Sequence, residues 1–264
     1  MTTALAYEWW RLRTLRSTWL TAAATLVVTA LLALAFGSLI KDMSADQGQP
    51  VPVSELLTII LTKSPLTPVI AGTLGAFAMG HEYRYGTIRT TLVLTPRRPI
   101  AYGAKAATIA AFSALLALAN LTMAWTVALF QLAGESLEGV SVALLVRVHI
   151  GQVLLVVGWG LAGVALGALI RSQTVALLTL LTVPFVVEPI LRAVLSNSGQ
   201  AILERAAMLL PFTAGSAMTG ASGGNTTLLE SSTQLGPLVS GLVFIALVTA
   251  ITAVAATLFQ RRDA

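Results

Sequence analysis

The chain contains no cysteine, which excludes a disulfide framework and thiolate metal sites without fixing the compartment. Its only histidines are His81 and His149. His81-Glu82 begins like a zinc-protease helix motif, but the position that needs the second histidine is Tyr85, so two imidazoles do not meet one metal ion on that face. A phosphate-cradling G-x-x-x-x-G-K-[ST] loop is also missing, which excludes nucleotide binding by that route. An intramembrane enzyme would need embedded acids, and only Glu188 falls inside a predicted span. We therefore read no catalytic residue, no metal site and no bound cofactor. Charge is scarce as well, at 10% of 264 residues, where a soluble domain carries about a quarter.

What is present is apolar surface. Hydrophobic residues make up 56% of the chain, more than a soluble fold can hide. A bilayer core about 30 Å thick needs roughly 20 apolar residues in a helix, and runs near that length recur from end to end. They predict an all-α integral membrane protein with six spans, Thr18 to Ile40, a second ending near Gly80, Ala106 to Phe130, Ile150 to Ile170, Thr174 to Leu195 and Leu238 to Phe259. Counting back from Gly80 puts Lys63 at the opposite interface, where its amine reaches water, with Pro65 and Pro68 bending that end. We read one membrane domain, residues 1–264, with no appended soluble module. Ala33-Leu34-Ala35 resembles a signal-peptidase site, but the first apolar run is too long for an ordinary signal sequence, and we expect it uncleaved.

The charges lie at the mouths of these runs and orient the chain. Arg11, Arg13, Arg16, Arg84, Arg89, Arg97, Arg98, Lys105, Arg171, Arg261 and Arg262 fall on one side, which the positive-inside rule makes cytoplasmic. The other side has Lys41 and Arg205, with Lys63, Arg147 and Arg192 at its boundary, beside Asp42, Asp46, Glu55, Glu135, Glu138, Glu204 and Glu230. Both termini are then cytoplasmic and the net charge of +5 faces lipid headgroups, not nucleic acid. Residues 1–17 interleave Trp9 and Trp10 with Glu8, Arg11, Arg13 and Arg16, the pattern of an interfacial helix. Arg171 to Gln173 forms a tight hairpin, whereas residues 196–237 make a long external segment with a short helix, Ala201 to Leu210, closed by Pro211.

Within the spans, Glu188 and Arg192 are one helical turn apart and can pair, either as a structural ion pair at the headgroup boundary or in a substrate or gating role. Asn120, in mid-span, suits interhelical hydrogen bonding or, alternatively, a substrate contact. His149 is read as a hydrated interfacial histidine. Gly72, Ala76 and Gly80, with Gly163 and Gly167, form small-residue stripes that favour close helix packing within one subunit over a dimer interface.

The most specific stretch follows the second span, in residues 81–105: His81-Glu82-Tyr83-Arg84-Tyr85-Gly86-Thr87-Ile88-Arg89-Thr90-Thr91-Leu92, then Thr95-Pro96-Arg97-Arg98 and Lys105. Gly86 is a breaker, and beyond it Ile88 and Leu92 share one side of a short amphipathic helix with Arg89 on another. Such a helix suits docking to a cytoplasmic surface or binding to anionic headgroups.

E-Y-x-x-G-T-I-R-x-T-L followed by P-R-R and a lysine opening the next span resembles the signature of ABC-2 type transporter permeases. The lead-in from Glu8 to Trp19 is similar to that family's elbow helix, and Leu210-Pro211 resembles its re-entrant external segment before the last helix. The resemblance implies an ATP-driven exporter in the plasma membrane: a pair of permeases, identical or related, on two copies of an ABC ATPase that holds ATP and Mg. It also implies that Glu82, Arg84, Gly86, Thr87, Ile88, Arg89, Thr90 and Leu92 contact that ATPase. The leading alternative is an ion-coupled secondary transporter or channel, which needs titrating groups near the midplane.

Overall fold

The computed structural model describes residues 2–47, 52–62, 64, 66–134, 140–219 and 236–261. Lys63, Pro65, Glu135, Glu138, Glu230, Arg262, residues 220–235 of the long segment and the side chain of Asp46 lie outside that description. Among the described residues every regular element is helical. Among the same residues, six helical segments are long and apolar enough to cross a membrane.

The chain opens with α1, Thr2–Thr14, and turns at Leu15 into α2, Arg16–Gln47, which at 1.5 Å per residue is about 48 Å long. The second span is longer than its apolar count suggests and is built from two helices, α3, Val53–Thr62, and α4, Leu66–Arg84. Leu56, Leu57, Ile60 and Leu61 of α3 are buried against Ala33 of α2 and Leu121, Ala124 and Val127 of α6, Arg98–Gln131. That burial draws α3 into the bundle. Pro68 sits in the first turn of α4, where its missing N–H has no intrahelical partner to lose.

Between α4 and α6 lies α5, Ile88–Leu94. Gly86 precedes it with φ +68°, the left-handed region that a residue without a Cβ enters freely. The fourth span is α7, Val142–Ile170. It runs alongside α4 with the two small-residue stripes face to face: a Cβ on Gly163 would stand 2.0 Å from the Gly72 carbonyl oxygen, and one on Gly75 would stand 2.1 Å from that of Gly160. The small residues thus pack within one chain, letting two backbones approach and gain dispersion contact where lipid supplies no hydrophobic drive.

The predicted hairpin follows, with Arg171 in the left-handed conformation and the Ser172 hydroxyl accepting from Val175 N–H. The fifth span is interrupted. Between α8, Gln173–Thr182, and α9, Glu188–Ser196, a π turn covers Val183–Val187; Pro184 within it has no N–H for the regular ladder, and a wide turn accommodates the loss.

The long segment carries α10, Ala201–Met208, and α11, Pro211–Met218. Pro211 therefore opens a helix as well as following one. Its fixed φ suits the first helical position, and a stop and a start use the same residue. Phe212 of α11 meets Trp159 of α7 edge to face at 4.5 Å, and Ala214 and Met218 are buried with Trp159, Leu180, Phe244 and Val248. The segment thus turns back into the bundle. The last span is α12, Pro237–Arg261. We call the end with Arg84, Arg98, Arg171 and Arg261 the basic end, and the end with α10 the far end.

Candidate functional site: a buried charge cluster beneath the basic loop

Four charged side chains from three helices meet under the loop at the basic end. Glu8 and Arg11 are three residues apart on α1, which places them on one face; Glu82 lies in the last turn of α4 and Lys105 two turns into α6. Lys105 Nζ donates to Glu8 Oε1 at 2.5 Å and also to Glu82 Oε1. Arg11 Nη1 donates to that Glu82 oxygen at 3.0 Å and lies 3.2 Å from Glu8 Oε2, while Nη2 donates to the Ala78 carbonyl at 3.3 Å. Lys105 is 1% exposed, Glu82 4% and Glu8 5%. Two cations face two carboxylates, so the cluster is neutral as a whole, which is the condition for keeping charges out of water.

The cluster sets what the loop presents. Glu82 and Ile88 turn inward: Ile88 is buried with Leu12, Met79, Tyr102 and Phe259, and Leu92 is half-buried against the same group. Arg84 donates to Gln173 Oε1 at 3.4 Å and lies over the Tyr85 ring at 5.6 Å. Gly86, Thr87, Arg89 and Thr90 are exposed. So are Val93 and Leu94, at 80% and 72%, two apolar residues that the sequence reading did not single out. On α1, Trp9, Trp10 and Arg13 face outward, with the Arg13 guanidinium 5.5 Å from the Trp10 ring centre. Helix α1 is therefore fastened on its Glu8 side and free on its tryptophan side.

Elsewhere the predicted residues find partners at long range. Glu188 and Arg192 do not pair: among the described residues no ion pair joins them. The Glu188 carboxylate accepts from Phe212 N–H at 3.1 Å, Thr213 N–H at 2.9 Å and the Thr213 hydroxyl at 3.1 Å. The free N–H groups and positive dipole end of α11 suit a carboxylate better than an exposed arginine does. Arg192 is exposed. Asn120 Oδ1 accepts from Thr29 at 2.6 Å and its Nδ2 donates to Leu116 at 2.9 Å, tying α6 to α2. His149 is not simply a hydrated group. Its Nε2 accepts from Trp125 Nε1 at 2.7 Å, and Nδ1 lies 2.7 Å from the Leu145 carbonyl, an arrangement that the neutral ring satisfies on both sides.

Two structural features escaped the sequence reading. Lys105 was noted only as a basic residue opening a helix, although a lysine two turns inside an apolar segment demands acidic partners. The cradle for Glu188 is 24 residues away; its signal is Pro211, which marks a helix start. Among the described residues no group of three His, Asp or Glu side chains is placed to hold a metal ion.

A family model described as ABC-2 family transporter protein matches residues 4–183, well over half the chain, and the protein belongs to that family. The match spans α1 to α8 and so includes the charge cluster and the basic loop. With six apolar helices, the chain is a multi-pass membrane permease of the ABC transporter class. No match to the chain is found among curated proteins.

Proposed function

We propose that this chain is the membrane-spanning subunit of an ATP-driven exporter, forming the translocation pathway as a pair of permeases on two separate ATPase subunits. It works in the cell membrane with the basic end in the cytoplasm, and ATP and Mg bind to the ATPases. The observation that carries this reading is the loop geometry. Helix α5 offers Arg89, Val93 and Leu94 to a partner, while its inner face is seated on the helices joined by Glu8, Arg11, Glu82 and Lys105. A push on that helix reaches α1, α4 and α6 together. Such a surface transmits work when its contacts with the partner differ between nucleotide states. In the far-end half of the fifth span, Glu188 holds Phe212 and Thr213 of α11, which supports a closing element at that end.

The test is to co-purify the chain with its ATPase and compare nucleotide hydrolysis by the assembled complex for wild type, Gly86→Val and Arg89→Glu. The expected result is a complex that loses stimulation of hydrolysis by the permease while the isolated ATPase is unaffected. Unchanged stimulation in both variants would remove α5 as the docking surface.

A further inference from the structure

The outward side of α1 encloses a cavity that the function proposed above does not use. It lies in the angle between α1 and α2, with α6 as its floor, and has a volume of about 550 Å³, within the range of roughly 300–1,000 Å³ typical of small-molecule sites. Ala22, Ala23 and Leu26 form one wall, and Phe112, Leu115 and Ala119 the floor. From Trp19 to Leu26, or from Phe112 to Ala119, it extends about 10 Å along the helices. Its lining is apolar except at the basic end, where Arg13, Trp9 and Trp19 stand at the mouth. A bond ties the two sides of this corner together, from Trp19 Nε1 to the Arg13 carbonyl at 2.8 Å.

The chemistry of this mouth is graded. Tryptophans prefer the level where headgroups meet acyl chains, so Trp9 and Trp19 place the opening at that level. Arg13 is exposed and takes part in none of the four ion pairs of the neighbouring cluster, its charge lying over the Trp10 ring. An anionic group at the mouth therefore meets a guanidinium outside the ion-paired cluster, which is suited to a phosphate by its planar array of donors. Below the charge, a hydrocarbon chain meets the apolar side chains of Leu26, Phe112 and Leu115.

We propose that this cavity is a binding site for one anionic glycerophospholipid from the leaflet at the basic end, with its phosphate on Arg13 and the upper part of an acyl chain between α1, α2 and α6. The lipid acts as a wedge. Glu8 and Arg11 hold one side of α1 to α4 and α6, and the lipid fills the side that protein contacts leave open. This inference is independent of whether ATP drives the permease.

The experiment is native mass spectrometry of the full chain, purified in a delipidating detergent and titrated with an equimolar mixture of dioleoyl phosphatidylglycerol and dioleoyl phosphatidylcholine. Wild type is expected to retain one phosphatidylglycerol in preference to phosphatidylcholine. Arg13→Gln is expected to lower that preference about fivefold, the effect of one basic contact at a membrane surface, and Arg13→Lys to keep much of it. Ala23→Trp, which fills the cavity from an exposed position, is expected to abolish the retained lipid, whereas Arg89→Gln at the loop leaves it. Equal retention of the two lipids by wild type overturns the proposal. So does undiminished retention by Ala23→Trp, which would mean annular lipid only. Arg13→Gln lies on the exposed side of α1, and the unchanged cluster keeps its fold.

Discussion

Lys105 is the residue on which the basic end turns, because its single ammonium is shared by two carboxylates that are themselves almost wholly buried. Removing it leaves Glu8 and Glu82 facing one cation, Arg11. Breaking a buried charge network by deleting one partner costs roughly 3–5 kcal/mol, so Lys105→Met is expected to lower the melting temperature of the purified protein sharply. Glu82→Gln with Lys105→Met leaves the balanced pair Glu8 and Arg11, and the double variant should melt above Lys105→Met alone; additive losses would mean that the network is not coupled. Glu188 is different in kind, since its partners are backbone N–H groups and a hydroxyl. Glu188→Gln keeps the shape and loses the charge, with an expected loss of about 1–2 kcal/mol, while Arg192→Gln should leave melting unchanged. Equal effects at both positions would restore a direct Glu188–Arg192 pair.

At the scale of elements, α4 and α7 approach so closely that glycines on each face the other's backbone. Gly163→Ala sets a methyl group 2.0 Å from a backbone carbonyl oxygen, a contact that rigid backbone relieves only by separating the helices. A loss of about 1–3 kcal/mol is expected, whereas Gly103→Ala, with nothing within 4 Å of the new carbon, should be neutral or slightly stabilising. Thermal unfolding of the two variants in the same detergent checks the contrast. These stripes were legible in the sequence because spacing on a helix is local information, and so were the spans, because a bilayer imposes a minimum length on any apolar helix. Helix α3 was hidden. Its apolar residues are separated from α4 by a break, and their membership in the bundle depends on α2 and α6 covering them. The pairing of Glu188 with Arg192 was inferred from four-residue spacing, and it failed because a helix start 24 residues later offers the carboxylate several donors. The loop motif singled out residues 81–105 by local pattern, but the inward turn of Glu82 and Ile88 is fixed by α1 and α6, which local pattern does not register.

Taken as a whole molecule, the two ends differ in charge, and the absence of cysteine makes their sidedness directly measurable. Val93 on α5 and Ile202 on α10 are both strongly exposed, at 80% and 82%, and they stand at opposite ends of the bundle. The six spans among the described residues return the chain to the side on which it began, so α1, α5 and the end of α12 share one side, and the excess of Arg and Lys there is the ground for the proposed cytoplasmic orientation. A thiol introduced by Val93→Cys is therefore expected to resist a membrane-impermeant maleimide in intact cells and to react once the membrane is permeabilised, whereas Ile202→Cys reacts in both. Docking of the ATPase adds a second, independent readout. A spin label on Val93→Cys should lose mobility when the ATPase is added to the purified permease, and one on Ile202→Cys should not. Labelling of Val93→Cys in intact cells would reverse the orientation. An immobilised Ile202 label with a freely moving Val93 label would instead move the motor to the far end, away from the charge cluster that seats α5.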